Sequence, residues 1–394
     1  MEQGLRKLFS IVLVFLIFIS SAIADEIPVT GTDTPSKFDV RFTKLLRHWH
    51  VPGATVAIVK NGKIIATRGY GWSSLNPKVK MQPDTTFRIA SVSKTITTVA
   101  VLKLVQEKRL QLNDRVFDIL DDLTPLHGRT NSHLDQITVR DLLNMSSGWY
   151  TSNGHLDPMF GPWPQHAITE LNGNTPPTCI DATRLMMGHR FGFKPGTQFS
   201  YSNLNYCMLG LIVSKVTQNN YSPSSYISFV QNKILQPSGM NNTRIGSTSY
   251  FNRNFMETHY FNSMPGKTNV DGLPYSNSAI IEKNYADGGW TSSALDLARF
   301  LQSLSDYKIL SQPTLRTMLS RPTFMTKPYH YFSMGWTVKK INGHWYWSKH
   351  GSFTGTTAQI IQKDDGTSYV ALFNTEPPSK VMFFRQVQKV LISG

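Results

Sequence analysis

The chain has 394 residues, 40% of them hydrophobic and 16% charged, and its 40 Lys and Arg outweigh 25 Asp and Glu to give a formal net charge of +15. This composition excludes a disordered or fibrous chain and allows a sizeable core, in one large domain or two small ones. The basic residues are scattered, with no run of five. The charge therefore favours an anionic surface such as an envelope or polysaccharide, or simply a basic solvated exterior, over a nucleic-acid partner.

Arg6-Lys7 precede an apolar run from Leu8 to Ile19 broken only by Ser10, and Ala22-Ile23-Ala24 is a small-x-small pattern before Asp25. Together they predict a signal peptide over 1–24, cleaved after Ala24, and a secreted or periplasmic chain over 25–394. The run is short for a bilayer span of about 20 residues. No later segment is long and apolar enough to span, so no transmembrane segment is expected after cleavage.

Residues 25–37 read as loose. Phe38, Phe42, Leu45, Leu46 and Trp49 share one face of a helix over 38–49. His48 and His50 flank Trp49 without a third ligand, so no metal site is expected. Ala54–Lys60 and Lys63–Arg68 around Asn61-Gly62 predict a β-hairpin.

Ser91 then opens a helix of about four turns carrying Ile96, Val99, Ala100, Leu102 and Leu104, with Lys94 three residues on. Side chains at i and i+3 are neighbours on a helix. A serine hydroxyl needs a base beside it to act as a nucleophile, and burial lowers the pKa of a lysine toward that role. A helix start also offers unpaired N–H groups for a developing oxyanion. Ser-x-x-Lys is nevertheless a common accident, and needs partner motifs in order.

A short capped helix is expected at Ile137–Leu143, leading into Ser146-Ser147-Gly148-Trp149. Residues 150–180 lack periodicity and read as a long loop bordering a cleft. A helix follows over Asp181–Met187. Tyr201-Ser202-Asn203 then opens an apolar helix from Leu204 to Val216. Residues 240–285 are again irregular. Gly288 to Ser293 lead into an amphipathic helix over Ala294–Leu304. Strands are expected at Tyr331–Lys339, His344–Ser348, Thr356–Gln362 and Ser368–Asn374, and a last helix over Pro378–Leu391. With strands at both ends and helices between, the reading is one α+β domain: an antiparallel sheet from both termini, flanked by helices, with an inserted helical region. The two cysteines, Cys179 and Cys207, permit one disulfide or two buried thiols.

Ser91-x-x-Lys94, Tyr201-Ser202-Asn203 and Lys349-His350-Gly351-Ser352 occur in that order. Here the chain resembles the serine β-lactamase and penicillin-binding-protein superfamily, in its class C-like branch. The resemblance covers roughly residues 38–391. It is supported by Val51-Pro52-Gly53, Lys194-Pro195-Gly196-Thr197, Pro237-Ser238-Gly239-Met240 and Ala286-Asp287-Gly288-Gly289. It implies the β-lactamase/transpeptidase-like fold and an acyl-serine mechanism without cofactor or metal. Ser91 would be the nucleophile, with Lys94 and Tyr201 sharing the proton work and the Ser91 and Ser352 backbone N–H groups forming the oxyanion hole. Asn203, Lys349, His350 and Gly351 would contact substrate.

The resemblance also implies that the segments of Cys179 and Cys207 pack together, which favours a bridge. His350 departs from the Thr or Ser usual in strong β-lactamases. The implied activity is hydrolysis of an ester, amide or β-lactam in a small-molecule or peptide substrate, with the cell envelope as one source, by a monomer. The alternative is a catalytically idle relative that binds envelope peptides or a protein partner.

Overall fold

A computed structural model describes residues 26–32, 36–126, 131–150, 157–159, 178–262 and 281–393. The expected signal peptide and much of the loops expected at 150–180 and 240–285 lie outside these residues. In chain order the strands are β1 (Val29–Gly31), β2 (Gly53–Lys60), β3 (Lys63–Leu75), β4 (Lys78–Lys80), β5 (Thr86–Arg88), β6 (Arg244–Ile245), β7 (Phe261–Asn262), β8 (Trp290–Ser293), β9 (His330–Ser333), β10 (Trp336–Ile341), β11 (His344–Phe353), β12 (Thr356–Lys363), β13 (Ser368–Phe373) and β14 (Thr375–Glu376). The helices that matter here are α1 (Ser36–His48), α2 (Ser93–Gln106), α3 (Val139–Leu143), α4 (Cys179–Met187), α5 (Asn203–Gln218), α6 (Pro223–Val230), α7 (Ala294–Ser305), α8 (Gln312–Leu319) and α9 (Lys380–Ile392).

Among the described residues nine strands form one sheet in the order β1-β3-β2-β13-β12-β11-β10-β9, with β4 on β3. The expected α+β architecture is found: the two chain ends interleave at the β2–β13 junction, where Val56 faces Ala371. The hairpin between β2 and β3 turns at Asn61 and Gly62, with φ of 51° and 67°. Both residues are left-handed, as a two-residue turn matched to sheet twist requires.

One face of the sheet is covered by α1 and α9. Phe42, Leu46, Phe373, Phe383 and Val387 are all fully buried there. Each side chain of this size contributes roughly 1.5–3 kcal/mol on burial. The partly exposed Arg68–Asp39 ion pair at 3.3 Å contributes about 0–1 kcal/mol, so apolar docking and not charge holds this layer. The other face carries the larger core, centred on α2. Its Ile96, Val99, Ala100, Val101 and Leu102 are buried all round, as expected of a helix with little polar face.

Two expectations need correction. Residues 25–37 are not wholly loose, since Val29–Gly31 pairs with Arg68–Tyr70 and Thr30 Oγ1 donates to the Met81 carbonyl at 2.6 Å. Tyr331–Lys339 is not one strand but two, broken at Met334 and Gly335 with φ of 36° and 90°. A Cβ on Gly335 would lie 2.7 Å from Thr98 Oγ1 and 2.8 Å from Tyr206 Oη, so the turn is set by its approach to α2 and α5. Helices α6 and α8 lie outside the expected set. Each starts with a serine cap (Ser222, Ser311) and a proline in its first turn, a start signal present in the sequence.

Strand β11 runs through the third motif. Its pairing with β10 ends at Ser348, opposite Thr337, while β12 pairs with it as far as Phe353. Residues 349–353 therefore present a strand edge that β10 leaves unpaired.

Candidate active site

Ser91 sits on a short 3₁₀ turn, Ala90–Val92, immediately before α2. Ala90 is held at φ 46°, an uncommon conformation for a residue with a Cβ, and strain of this kind persists only where the surroundings over-determine it. The turn is clamped on both sides. Ile89 N–H donates to the Trp290 carbonyl at 3.0 Å, and Thr356 Oγ1 donates to the Arg88 carbonyl at 2.9 Å.

Lys94, one helical turn on, is fully buried. Its ammonium donates to Ser91 Oγ at 3.2 Å, to Asn203 Oδ1 at 2.8 Å and to the Asp287 carbonyl at 2.6 Å. All three of its protons are thereby used. Tyr201, just ahead of α5, places its hydroxyl 2.8 Å from Ser91 Oγ. Lys94 and Lys349 lie 5.4 and 5.2 Å from its ring centre.

The electrostatics separate Tyr201 from its neighbours. Burial alone raises a phenol, but the charges of Lys94 and then Lys349, with hydrogen bonds from Ser91 and Lys94, outweigh burial and bring Tyr201 below its ordinary value of 10. Buried Tyr206, Tyr226 and Tyr285 have no such pair of cations and are all pushed up by burial. Lys349 is pulled down to about 8 by burial, with the Tyr201 phenolate opposing and Lys94 reinforcing the shift.

In β11, alternation sends Lys349 and Gly351 toward α2 and His350 toward α9. The His350 ring packs on Phe384 with centroids 4.5 Å apart. The residue as a whole is exposed, but desolvation of its ring and then the charges of Lys349 and Lys339 lower the imidazole to about 4, so it is neutral near pH 7. Gly351 admits no side chain. A Cβ there would lie 2.3 Å from the Ile89 carbonyl oxygen and 2.8 Å from Ser91 N. Ser352 Oγ donates to Glu376 Oε1 at 2.6 Å.

All eight residues singled out in the sequence thus converge. Ser91, Tyr201, Lys349, His350, Gly351 and Ser352 line one cavity of about 510 Å³, walled on its apolar side by Phe199 and Phe332; Lys94 and Asn203 stand behind them. A cavity of about 400 Å³ near Lys108 and Arg140 holds no nucleophile beside a base. Cys179 and Cys207 are joined in a disulfide that ties α4 to α5, four residues past Asn203.

Two acids were not found in the sequence. Asp157 accepts from Asn203 Nδ2 at 2.8 Å, and burial raises its pKa. No periodicity marked it. Asp287 is buried, its backbone oxygen holds Lys94, and neither carboxyl oxygen has a hydrogen-bond partner among the described residues. Its Ala-Asp-Gly-Gly stretch was a fold signal that carried no hint of this contact.

A family model described as beta-lactamase matches residues 38–391. Protein flp of Staphylococcus aureus (strain COL) is 35% identical over 218 residues, 55% of this chain and 40% of that protein, so the chain covers well under half of this curated relative's length. The putative penicillin-binding protein PbpX of Bacillus subtilis (strain 168) is 27% identical over 321 residues, 81% of this chain and 70% of PbpX. Among solved structures, a D-stereospecific amidohydrolase from Streptomyces sp. superposes with a TM-score of 0.69 at 22% identity, covering 90% of this chain and 99% of that one. That last likeness is one of fold.

Proposed function

The chain belongs to the beta-lactamase family of serine hydrolases, and from that premise we propose that it is an exported hydrolase that cleaves an ester, amide or lactam through an acyl-enzyme on Ser91. The observation that carries this reading is the convergence of Ser91 Oγ with the Tyr201 hydroxyl at 2.8 Å and the Lys94 ammonium at 3.2 Å.

Ser91 Oγ attacks the substrate carbonyl carbon while its proton passes to the Tyr201 phenolate, which the two lysines stabilise. The backbone N–H groups of Ser91 and Ser352 receive the oxyanion. The intermediate collapses, the C–O or C–N bond breaks, and Tyr201 returns the proton to the leaving group. Water then attacks the acyl carbon, Tyr201 takes the water proton, and Ser91 leaves protonated. No metal or cofactor enters this sequence.

Asn203 holds Lys94 in place, and Lys349 binds a substrate carboxylate at the cavity wall. The unpaired edge at 349–353 suits an extended substrate backbone. His350, stacked on Phe384, is a bulkier and neutral contact where a hydroxyl would receive a β-lactam carboxylate. We therefore favour an esterase or D-peptidase acting on a small-molecule or peptide substrate, with the envelope as its source, over an antibiotic-hydrolysing enzyme. We further read the active form as a monomer in the periplasm or outside the cell.

The test is intact-protein mass spectrometry after incubation with a fluorophosphonate and, separately, a fluorescent penicillin, with Ser91→Ala alongside. A fluorophosphonate adduct on the wild type that disappears in Ser91→Ala is expected, with weak or no penicillin labelling. Labelling that persists in Ser91→Ala overturns the site assignment, and absence of any adduct moves the chain to a binding role.

A further inference from the structure

The active-site cavity does not end at His350. It wraps over the unpaired edge of β11 onto the face covered by α9, where Lys339, Arg385 and Gln388 line it. The same three residues line a second cavity of about 530 Å³ between β10 and α9, which continues to Lys389 and Tyr346. The two spaces therefore adjoin along the β10–α9 seam, and we treat them together as one groove that starts at Ser91.

Its charge is one-sided. Among the described residues no acidic side chain lines either cavity. Lys380 pairs with Glu376, but among the described residues no carboxylate pairs with Lys339, Lys349, Arg385 or Lys389. The cations also act on each other: burial and then the Arg385 charge hold Lys339 low. Like charges gathered along a concave wall, without a paired carboxylate among the described residues, cost stability unless a ligand supplies the counter-charge.

We propose that this groove is an extended substrate subsite that holds a negatively charged chain, carried by the substrate itself, against Lys339, Arg385 and Lys389 while the scissile bond lies at Ser91. Two contiguous cavities suit several charges along a chain better than one terminal carboxylate. The inference deepens the hydrolase reading and rests on it for the placement of the scissile bond, but the groove's occupancy is measurable without turnover.

The experiment therefore reads binding first. Fluorescein-labelled hexaglutamate, and separately labelled hexaphosphate, are titrated into the Ser91→Ala protein by anisotropy at low and physiological ionic strength. The same titration is run on that protein carrying Arg385→Glu and Lys389→Glu, on a milder Arg385→Gln and Lys389→Gln version, and on Lys308→Glu, a control that changes the net charge as much as the milder version does, on an exposed lysine that lines neither cavity. Expected is saturable binding that weakens with salt, falls at least tenfold in both groove variants and persists in the control. Tighter hexaglutamate marks a carboxylate chain and tighter hexaphosphate a phosphate chain. Binding of neither probe, or equal loss in the Lys308→Glu control, overturns the proposal. A second readout compares kcat/KM for one ester bearing a triglutamate or a triserine tail; a preference for triglutamate of about tenfold is expected, and equal values overturn the substrate placement. If no ester turns over while groove binding stands, the hydrolase reading has failed and the anion groove has not.

Discussion

Asn203 stands between Asp157 and Lys94 with its amide orientation fixed by both. Lys94 has only protons to give, so it must face Oδ1, at 2.8 Å; the Nδ2 group then donates to Asp157, also at 2.8 Å. Asp157 thus acts on Ser91 only through Asn203 and Lys94, as a positioning residue. Asp157→Leu is expected to lower kcat about tenfold with little change in KM, and Asp157→Asn, which keeps an acceptor oxygen, to restore most of it. Steady-state kinetics of the two variants decide. Equal losses in both, or a loss confined to KM, speak against the relay.

The pH profile follows from Tyr201 and Lys349. A phenol lowered by two lysines makes kcat/KM rise with pH until Tyr201 is ionised. Lys349, at about 8, loses its charge as pH rises through that value. KM for a carboxylate-bearing ester should therefore climb above about pH 8, while KM for a neutral ester stays level. Lys349→Arg, whose charge persists at every accessible pH, should remove the alkaline rise in KM. A rise retained in that variant assigns the limb elsewhere. Tyr201→Phe should cut kcat/KM by 10²–10⁴-fold.

Asp287 makes stability depend on pH in the less common direction. An aspartate in the unfolded chain ionises near 3.9. In the fold, burial holds Asp287 at about 7 against the pull of Lys94. Between those values the folded state keeps a proton that the unfolded state has released, so stability falls as pH rises from about 4 to about 7, then levels. The shift corresponds to a few kcal/mol at most. Asp287→Asn mimics the neutral acid and should raise Tm by several degrees at pH 8, with no gain at pH 4. Identical gains at both pH values would rule out ionisation as the cause.

Gly351 brings β11 into close approach with the Ser91 turn. Its neighbours there are backbone atoms, the Ile89 carbonyl and Ser91 N, which cannot rotate aside. Gly351→Ala should displace the strand from the turn and slow fluorophosphonate labelling of Ser91 by about 10²-fold, since misplacement on the scale of 1 Å has that effect. A stability loss of roughly 1–3 kcal/mol should accompany it. Wild-type labelling rates would show that the approach has no catalytic role.

The sequence by itself determined the elements with strong local signals. The Asn61-Gly62 hairpin, the α1 face from Phe38 to Leu46 and the apolar α2 follow from periodicity and turn chemistry, which act over a few residues. It also singled out Ser91, Lys94, Tyr201, Asn203 and Lys349 by residue type and order, and the fold brings these side chains together. Tertiary structure decided what depends on distant neighbours. The break at Met334-Gly335 comes from contact with Thr98 and Tyr206, and an alternation pattern does not register it. The lowered Tyr201 phenol needs two lysines from elements more than a hundred residues away on either side. Asp157 and Asp287 became visible only once folding set them behind Asn203 and Lys94, and the cationic groove only once β10 met α9. Local propensity is a property of a segment, whereas burial and Coulomb coupling belong to pairs that only the fold brings together.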